Sequence, residues 1–180
     1  MSVNGLAKGT ELEQMIKSAM QAEANGTMMY YALARLAKEQ GMDDAAEAFV
    51  EIGNQEAGHA AFYAILNGKY PENFWDLVRS LQKAESNGDF QVKAMADKVR
   101  VVGLAEAADQ IEVFAKEEGH HGKILAELLQ KYSPEEMDLS GKTIYICKVC
   151  GYKYIGDINA ESDDYVCPLC GQPKTTFVLK

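Results

Sequence analysis

Several features are scarce in this chain of 180 residues. No run of about 18 apolar residues occurs, so no segment reads as a membrane-spanning helix. Met1 to Thr10 holds no apolar signal core, and the expected compartment is the cytoplasm. Basic residues are outnumbered, 18 against 27 acidic ones. The net charge of -9 excludes a non-specific nucleic-acid binder, which needs a basic face. Between residues 10 and 132 the only proline is Pro71, so little interrupts helices there. Cysteine is absent until Cys147, and histidine is limited to His59, His120 and His121. Without an export signal, the four cysteines are not expected to form a disulfide framework. Softer ligands at one end and harder ones at the other point to metal at both.

What is present divides into two regimes. Residues 10 to 132 are rich in Ala, Leu, Met, Glu and Lys with helical periodicity. The 47% apolar content can support a core. Four helices are predicted. The first runs from an N-cap at Thr10, with Glu13 three residues on, to Gln40 before Gly41. The second runs from Asp43 or Asp44 to Asn67-Gly68. The third runs from after Asn73 to Val102, and the fourth from Leu104 to Tyr132. Long helices with short connections imply an antiparallel four-helix bundle over residues 1–133. A linker is expected over 134–142. A small module follows over 143–180, carrying Pro168, Pro173 and all the cysteines.

The helical part repeats itself. A shift of 62 overlays residues 21–59 on 83–121 without a gap, with eleven identities. They include Glu23 with Glu85, Gly26 with Gly88, Gly41 with Gly103, Glu56 with Glu118 and His59 with His121. The bundle therefore reads as two copies of one helical hairpin.

Each predicted helix has an apolar stripe interrupted by a Glu: Glu23, Glu56, Glu85 and Glu118. On the second and fourth helices a His follows one turn later, His59 and His121. Four carboxylates in one inward layer need counter-charge. Two metal ions supply it, and a four-Glu, two-His set is that of ferritin-like di-metal bundles. Oxygen and imidazole ligands suit iron or manganese. His120 with Glu117 has the same spacing, but lies off the stripe and outside the repeat, and reads as a solvated pair.

The tail carries two Cys-x-x-Cys-Gly knuckles, Cys147/Cys150 and Cys167/Cys170. Four thiolates in a tetrahedron hold zinc or iron, and spacing leaves that choice open. Tyr145, Tyr152, Tyr154 and Phe177 are the expected module core, with metal compensating for its small size.

A bundle with paired Glu-x-x-His motifs followed by a four-cysteine module resembles the rubrerythrin family over nearly the whole chain. The resemblance implies a mostly α fold, a ferritin-like bundle with a C-terminal rubredoxin-like domain. It favours iron in the four-cysteine site, beside a di-iron centre that is oxo-bridged when oxidised. It implies a peroxidase reducing hydrogen peroxide to water in oxidative-stress defence. Electrons would come from NAD(P)H through a rubredoxin reductase or rubredoxin, and the chain would form a homodimer. Neither nucleic acid nor membrane is an expected partner. The matching ligands are Glu23, Glu56, His59, Glu85, Glu118 and His121, with Cys147, Cys150, Cys167 and Cys170 for the second site. Glu23, Glu56, Glu85, Glu118 and Tyr30 would carry catalysis. Rubrerythrins typically have a further Glu three residues after the one matching Glu85, where this chain has Gly88. That makes the site resemble the symmetric type of bacterioferritin, and leaves a ferroxidase or dioxygen reductase as the alternative. Gly26 and Gly88 have two readings: close approach of the first and third helices, or room for the oxidant.

Overall fold

The structure is a computed structural model that describes residues 2–71, 73–133 and 139–180. The chain divides into two compact units, Met1–Glu72 and Asn73–Lys180. The first holds α1 (Glu13–Glu39) packed on α2 (Asp43–Leu66). The second holds α3 (Phe74–Val101) packed on α4 (Ala105–Tyr132), followed by the four-cysteine module. Most of the linker expected at 134–142 lies outside the described residues.

The helix ends follow their glycines. Gly41 and Gly103, equivalent in the repeat, adopt φ of +74° and +88°. Each lets the next N–H fold back on the helix: Met42 N donates to Ala37 O (2.9 Å) and Leu104 N to Val99 O (3.3 Å). The start of α1 lies later than Thr10. The Thr10 hydroxyl donates to Ala7 O (2.7 Å) in a preceding turn, while Glu13 Oε2 accepts from Gly9 N (2.7 Å). That N-terminal segment caps α2, since Gly5 N and Ala7 N donate to Ile65 O and Leu66 O (both 2.9 Å).

Small residues form the hairpin seams. The buried positions are Ala34, Ala37, Ala46, Gly53 and Ala64 in the first hairpin. In the second they are Leu77, Ala96, Ala108, Ala115 and Gly122. Ala34/Ala96 and Ala46/Ala108 are repeat equivalents, so both hairpins close along the same seam. At Gly122 a Cβ would stand 2.6 Å from Ser86 Oγ and 3.0 Å from Ser86 N, so the helix backbones could not approach this closely with any larger residue. The predicted apolar stripes lie beside these seams and none of their members is fully buried. Met95 (49%), Phe114 (41%) and Leu128 (40%) are exposed.

The module is a three-stranded antiparallel sheet in the order β2 (Lys153–Ile155), β1 (Ile144–Cys147), β3 (Phe177–Leu179). Tyr152 and Phe177 are buried and meet edge-on at 6.4 Å. Tyr154 and Tyr165 pack on Phe177 at 6.3 and 6.1 Å. Tyr165 and buried Ile158 thus join the expected core. Tyr145 lies at its margin, its hydroxyl accepting from Asn159 Nδ2 (3.3 Å).

Candidate metal centres

Each hairpin assembles three donors on equivalent positions of the repeat. Glu23, Glu56 and His59 form one group, and Glu85, Glu118 and His121 the other, with ligand atoms within 4.8 Å of one another. Glu56 and His59 share a face because residues three apart on a helix lie one above the other. The second helix of each hairpin thus brings two donors and the first brings one. His59 Nδ1 stands 3.1 Å from Glu56 Oε2 and 3.9 Å from Glu23 Oε2. His121 Nδ1 stands 3.4 Å from Glu85 Oε2 and 3.9 Å from Glu118 Oε2. Both imidazoles are over half exposed, so the donor groups open outward from each hairpin.

The carboxyl pairs are arranged as cation sites. The hydrogen bond to Glu56, then burial, raises the Glu23 pKa, and the same bond with help from His59 lowers that of Glu56. The hydrogen bond to Glu85, then burial, raises Glu118. Without a cation each pair relieves its repulsion by holding a proton. Glu85 Oε2 is buried with no hydrogen-bond partner among the described residues. A buried, unsatisfied carboxylate oxygen is costly unless a cation meets it. That oxygen faces His121, so these residues fit a metal.

The two repeat-equivalent glycines beside the donor groups, Gly26 and Gly88, differ. A Cβ on Gly26 would stand 3.8 Å from Glu56 Cγ, an ordinary contact. A Cβ on Gly88 would stand 3.1 Å from Glu118 Cβ and 3.4 Å from its Oε2. The tight approach at Gly88 is therefore to the Glu118 carboxylate of its own hairpin, whose stem takes the space. Tyr30, two turns beyond Glu23, is half-buried with its ring stacked on Phe49 at 6.4 Å. His120 is exposed and belongs to neither donor group, as its place off the stripe predicts.

The four cysteines converge, with all sulfurs within 4.8 Å. Cys147 Sγ lies 3.7 Å from Cys170 Sγ, and Cys150 Sγ 3.5 Å from Cys167 Sγ. A tetrahedron with metal–sulfur bonds of about 2.3 Å has edges of about 3.8 Å. The two knuckles repeat one geometry. Gly151 and Gly171, at φ of +77° and +70°, donate to Cys147 O and Cys167 O (both 2.8 Å). Cys147 N donates to Tyr152 O (3.0 Å) and Cys167 N to Gln172 O (2.7 Å). Backbone N–H groups of Val149 and Cys150 point at the Cys147 sulfur, and those of Leu169 and Cys170 at Cys167. Burial opposes ionisation of Cys147, but the Thr176 hydroxyl and those N–H groups bring it down to about 6. Burial pushes Cys167 up to about 11 and raises Cys150 as well. Four crowded sulfurs cannot all ionise without a central cation, which this geometry fits. Cys150 also lines a cleft of 190 Å³ in the second unit, facing Arg79 and Lys83 of α3 and Leu129 of α4.

Comparison with known proteins places the chain in a family. The Rubrerythrin family model matches residues 14–86. The chain is 33% identical over 128 residues to "Uncharacterized protein MJ0746" of Methanocaldococcus jannaschii, covering 71% of this chain and 91% of that one. It is 24% identical to the rubrerythrin of Porphyromonas gingivalis over 97% of this chain and 92% of that one. To reverse rubrerythrin-1 of Clostridium acetobutylicum it is 28% identical, covering 71% and 72%. Rubrerythrins are ferritin-like oxidoreductases with a di-iron centre and a rubredoxin-like iron, and the two kinds of donor set here match both. The chain belongs to the rubrerythrin family.

Proposed function

We propose that this chain is a non-haem di-iron peroxidase that reduces hydrogen peroxide to water in oxidative-stress defence. Electrons would come from NAD(P)H through a rubredoxin reductase or rubredoxin, by way of the four-cysteine iron. The carrying observation is the recurrence of one Glu, Glu, His donor group at equivalent places of the repeat, beside a four-sulfur tetrahedron in the same chain. Glu23, Glu56 and His59 would hold one iron, and Glu85, Glu118 and His121 the other. Bound iron supplies Lewis acidity and electrons at the first centre, and one-electron transfer at the second.

The protein's own residues set the conditions. Each carboxyl pair gives up its shared proton when metal enters, so iron uptake releases protons. His59 and His121 present Nδ1 to the carboxylates, which orients the rings. Tyr30, on the same helix as Glu23, is proposed to hydrogen-bond a ligand or the oxidant. In the module, N–H groups aimed at sulfur stabilise the negative charge of the thiolate cage. The bundle of residues 1–133 uniting the two donor groups, the homodimer and the cytoplasmic location belong to the same proposal.

A second reading, a ferroxidase or dioxygen reductase, is favoured by the symmetry of the donor groups and by Gly88. Initial rates of the iron-loaded full chain with peroxide and with dioxygen separate the two. Peroxide turns over faster if the first reading is right. Faster consumption of dioxygen, or of added Fe(II) with it, would establish the second.

A further inference from the structure

The two knuckles of the module form a near-symmetric pair, and one side chain breaks the symmetry. Cys147 and Cys167 are equivalent, each fully buried, with the same backbone turn and N–H groups from the next two residues. Among the described residues, only Cys147 also meets a side-chain hydroxyl. Thr176 Oγ1 lies 3.5 Å from Cys147 Sγ. The same oxygen lies 2.8 Å from Pro173 O, to which it can donate. Its backbone is held in place, since Lys148 N, beside Cys147, donates to Thr176 O (3.0 Å). The hydroxyl therefore has two acceptors within reach of one rotor and a single proton to give.

We infer that Thr176 tunes the reduction potential of the four-cysteine iron by turning its hydroxyl from Pro173 O toward Cys147 Sγ when the site is reduced. The two acceptors compete on charge. A carbonyl is a neutral acceptor whose strength does not change with the site. A metal-bound thiolate becomes a stronger acceptor as its negative charge grows, and hydrogen bonds to charged acceptors are about twice as strong as neutral ones. One electron arriving from the donor adds that charge. No covalent bond is made or broken, and the proton stays on Oγ1 while changing its acceptor. A hydrogen bond gained mainly in the reduced state stabilises that state and raises the potential. This role is independent of which oxidant the helical site reduces.

The test uses the iron-loaded full chain. Midpoint potentials of the four-thiolate chromophore are measured by spectroelectrochemistry for wild type, Thr176→Val, Thr176→Ala and Thr176→Ser, with Thr175→Val as control. Valine keeps the shape and loses the hydroxyl, and serine keeps the hydroxyl. The Val and Ala variants should be reduced less readily by about tenfold in the equilibrium constant, which is 59 mV for one electron. Their sulfur-to-iron absorption in the oxidised state should stay at the wild-type wavelength, since the hydroxyl then rests on Pro173 O, and the serine variant and control should match wild type throughout. Three results would overturn the inference. The Val and Ala variants keep the wild-type potential with the chromophore intact. The serine variant shifts as far as valine does. Or neither Val nor Ala forms the red site, which makes the hydroxyl a building element instead of a tuning one.

Discussion

His121 Nδ1 stands 3.4 Å from Glu85 Oε2, an oxygen buried without a hydrogen-bond partner among the described residues. The two residues come from facing helices of one hairpin, and the space they define suits a cation better than a proton. Replacing Glu85 with Gln keeps the shape and removes the charge. E85Q should lose iron from the helical site and keep the red absorbance of the four-thiolate site. Metal analysis with an absorption spectrum checks this. Full iron content in E85Q would contradict a ligand role.

The paired glycines should respond in opposite ways. Ala at Gly26 meets Glu56 only at an ordinary distance, so G26A should gain helix propensity, about 1 kcal/mol, and keep the metal. Ala at Gly88 must displace Glu118, whose Cβ is 3.1 Å away. G88A should weaken iron binding by the second donor group whatever it gains in the helix. Thermal unfolding and iron titration of both variants test the contrast. Equal effects would mean that the repeat positions are interchangeable.

The metal-free chain has a pH signature. The folded state raises the Glu118 pKa, chiefly through its hydrogen bond with Glu85. A carboxyl raised on folding contributes stability that is present below its unfolded pKa and lost as pH rises through the folded one. The apo chain should therefore lose stability from this group between the ordinary Glu range and the pH just above it. E118Q, a mimic of the protonated form, should remove that contribution and be at least as stable as apo wild type at neutral pH. Denaturant midpoints of both across mildly acidic pH check it. Iron binding reverses the sign, because protons then compete with metal.

Metal removal should separate the two halves of the chemistry. The module's apolar core is small, formed around Tyr152, Ile158 and Phe177. Stripping its metal should remove the near-ultraviolet signal contributed by the module tyrosines Tyr152, Tyr154 and Tyr165 while far-ultraviolet helicity persists. Zinc should restore the fold without colour. Persistence of the aromatic signal in the stripped protein would show that the module folds on its own.

Much of this was legible in the residues. Period, caps and scarce proline predict α1 to α4 to within about three residues, because glycines such as Gly41 and Gly103 mark the ends physically. The repeat singles out His59 and His121 from His120, and the structure brings each of the two together with two glutamates of its own hairpin. The knuckle spacing locates the thiolate tetrahedron. What escaped depends on contacts between distant segments, which leave no periodic trace. The Gly122–Ser86 approach, the docking of Gly5 and Ala7 on α2, and Tyr165 in the module core are of this kind. So is the meeting of Thr176 with Cys147 across 29 residues. The hairpin seams leave a faint trace in the sequence for a related reason. Alanines at 34, 46, 96 and 108 carry little hydrophobic signal, yet they are what the hairpins bury, and the large apolar side chains lie beside them.

The proposed reaction divides its labour between thiolates that relay electrons and carboxylates that handle the oxidant. Replacing Cys150 with Ser tests it most directly. Turnover of peroxide coupled to NAD(P)H and a reductase is measured beside a single turnover of chemically pre-reduced protein. With labour divided in this way, C150S abolishes the coupled reaction and leaves the single turnover at the wild-type rate. Loss of both, or retention of the coupled reaction, would contradict it.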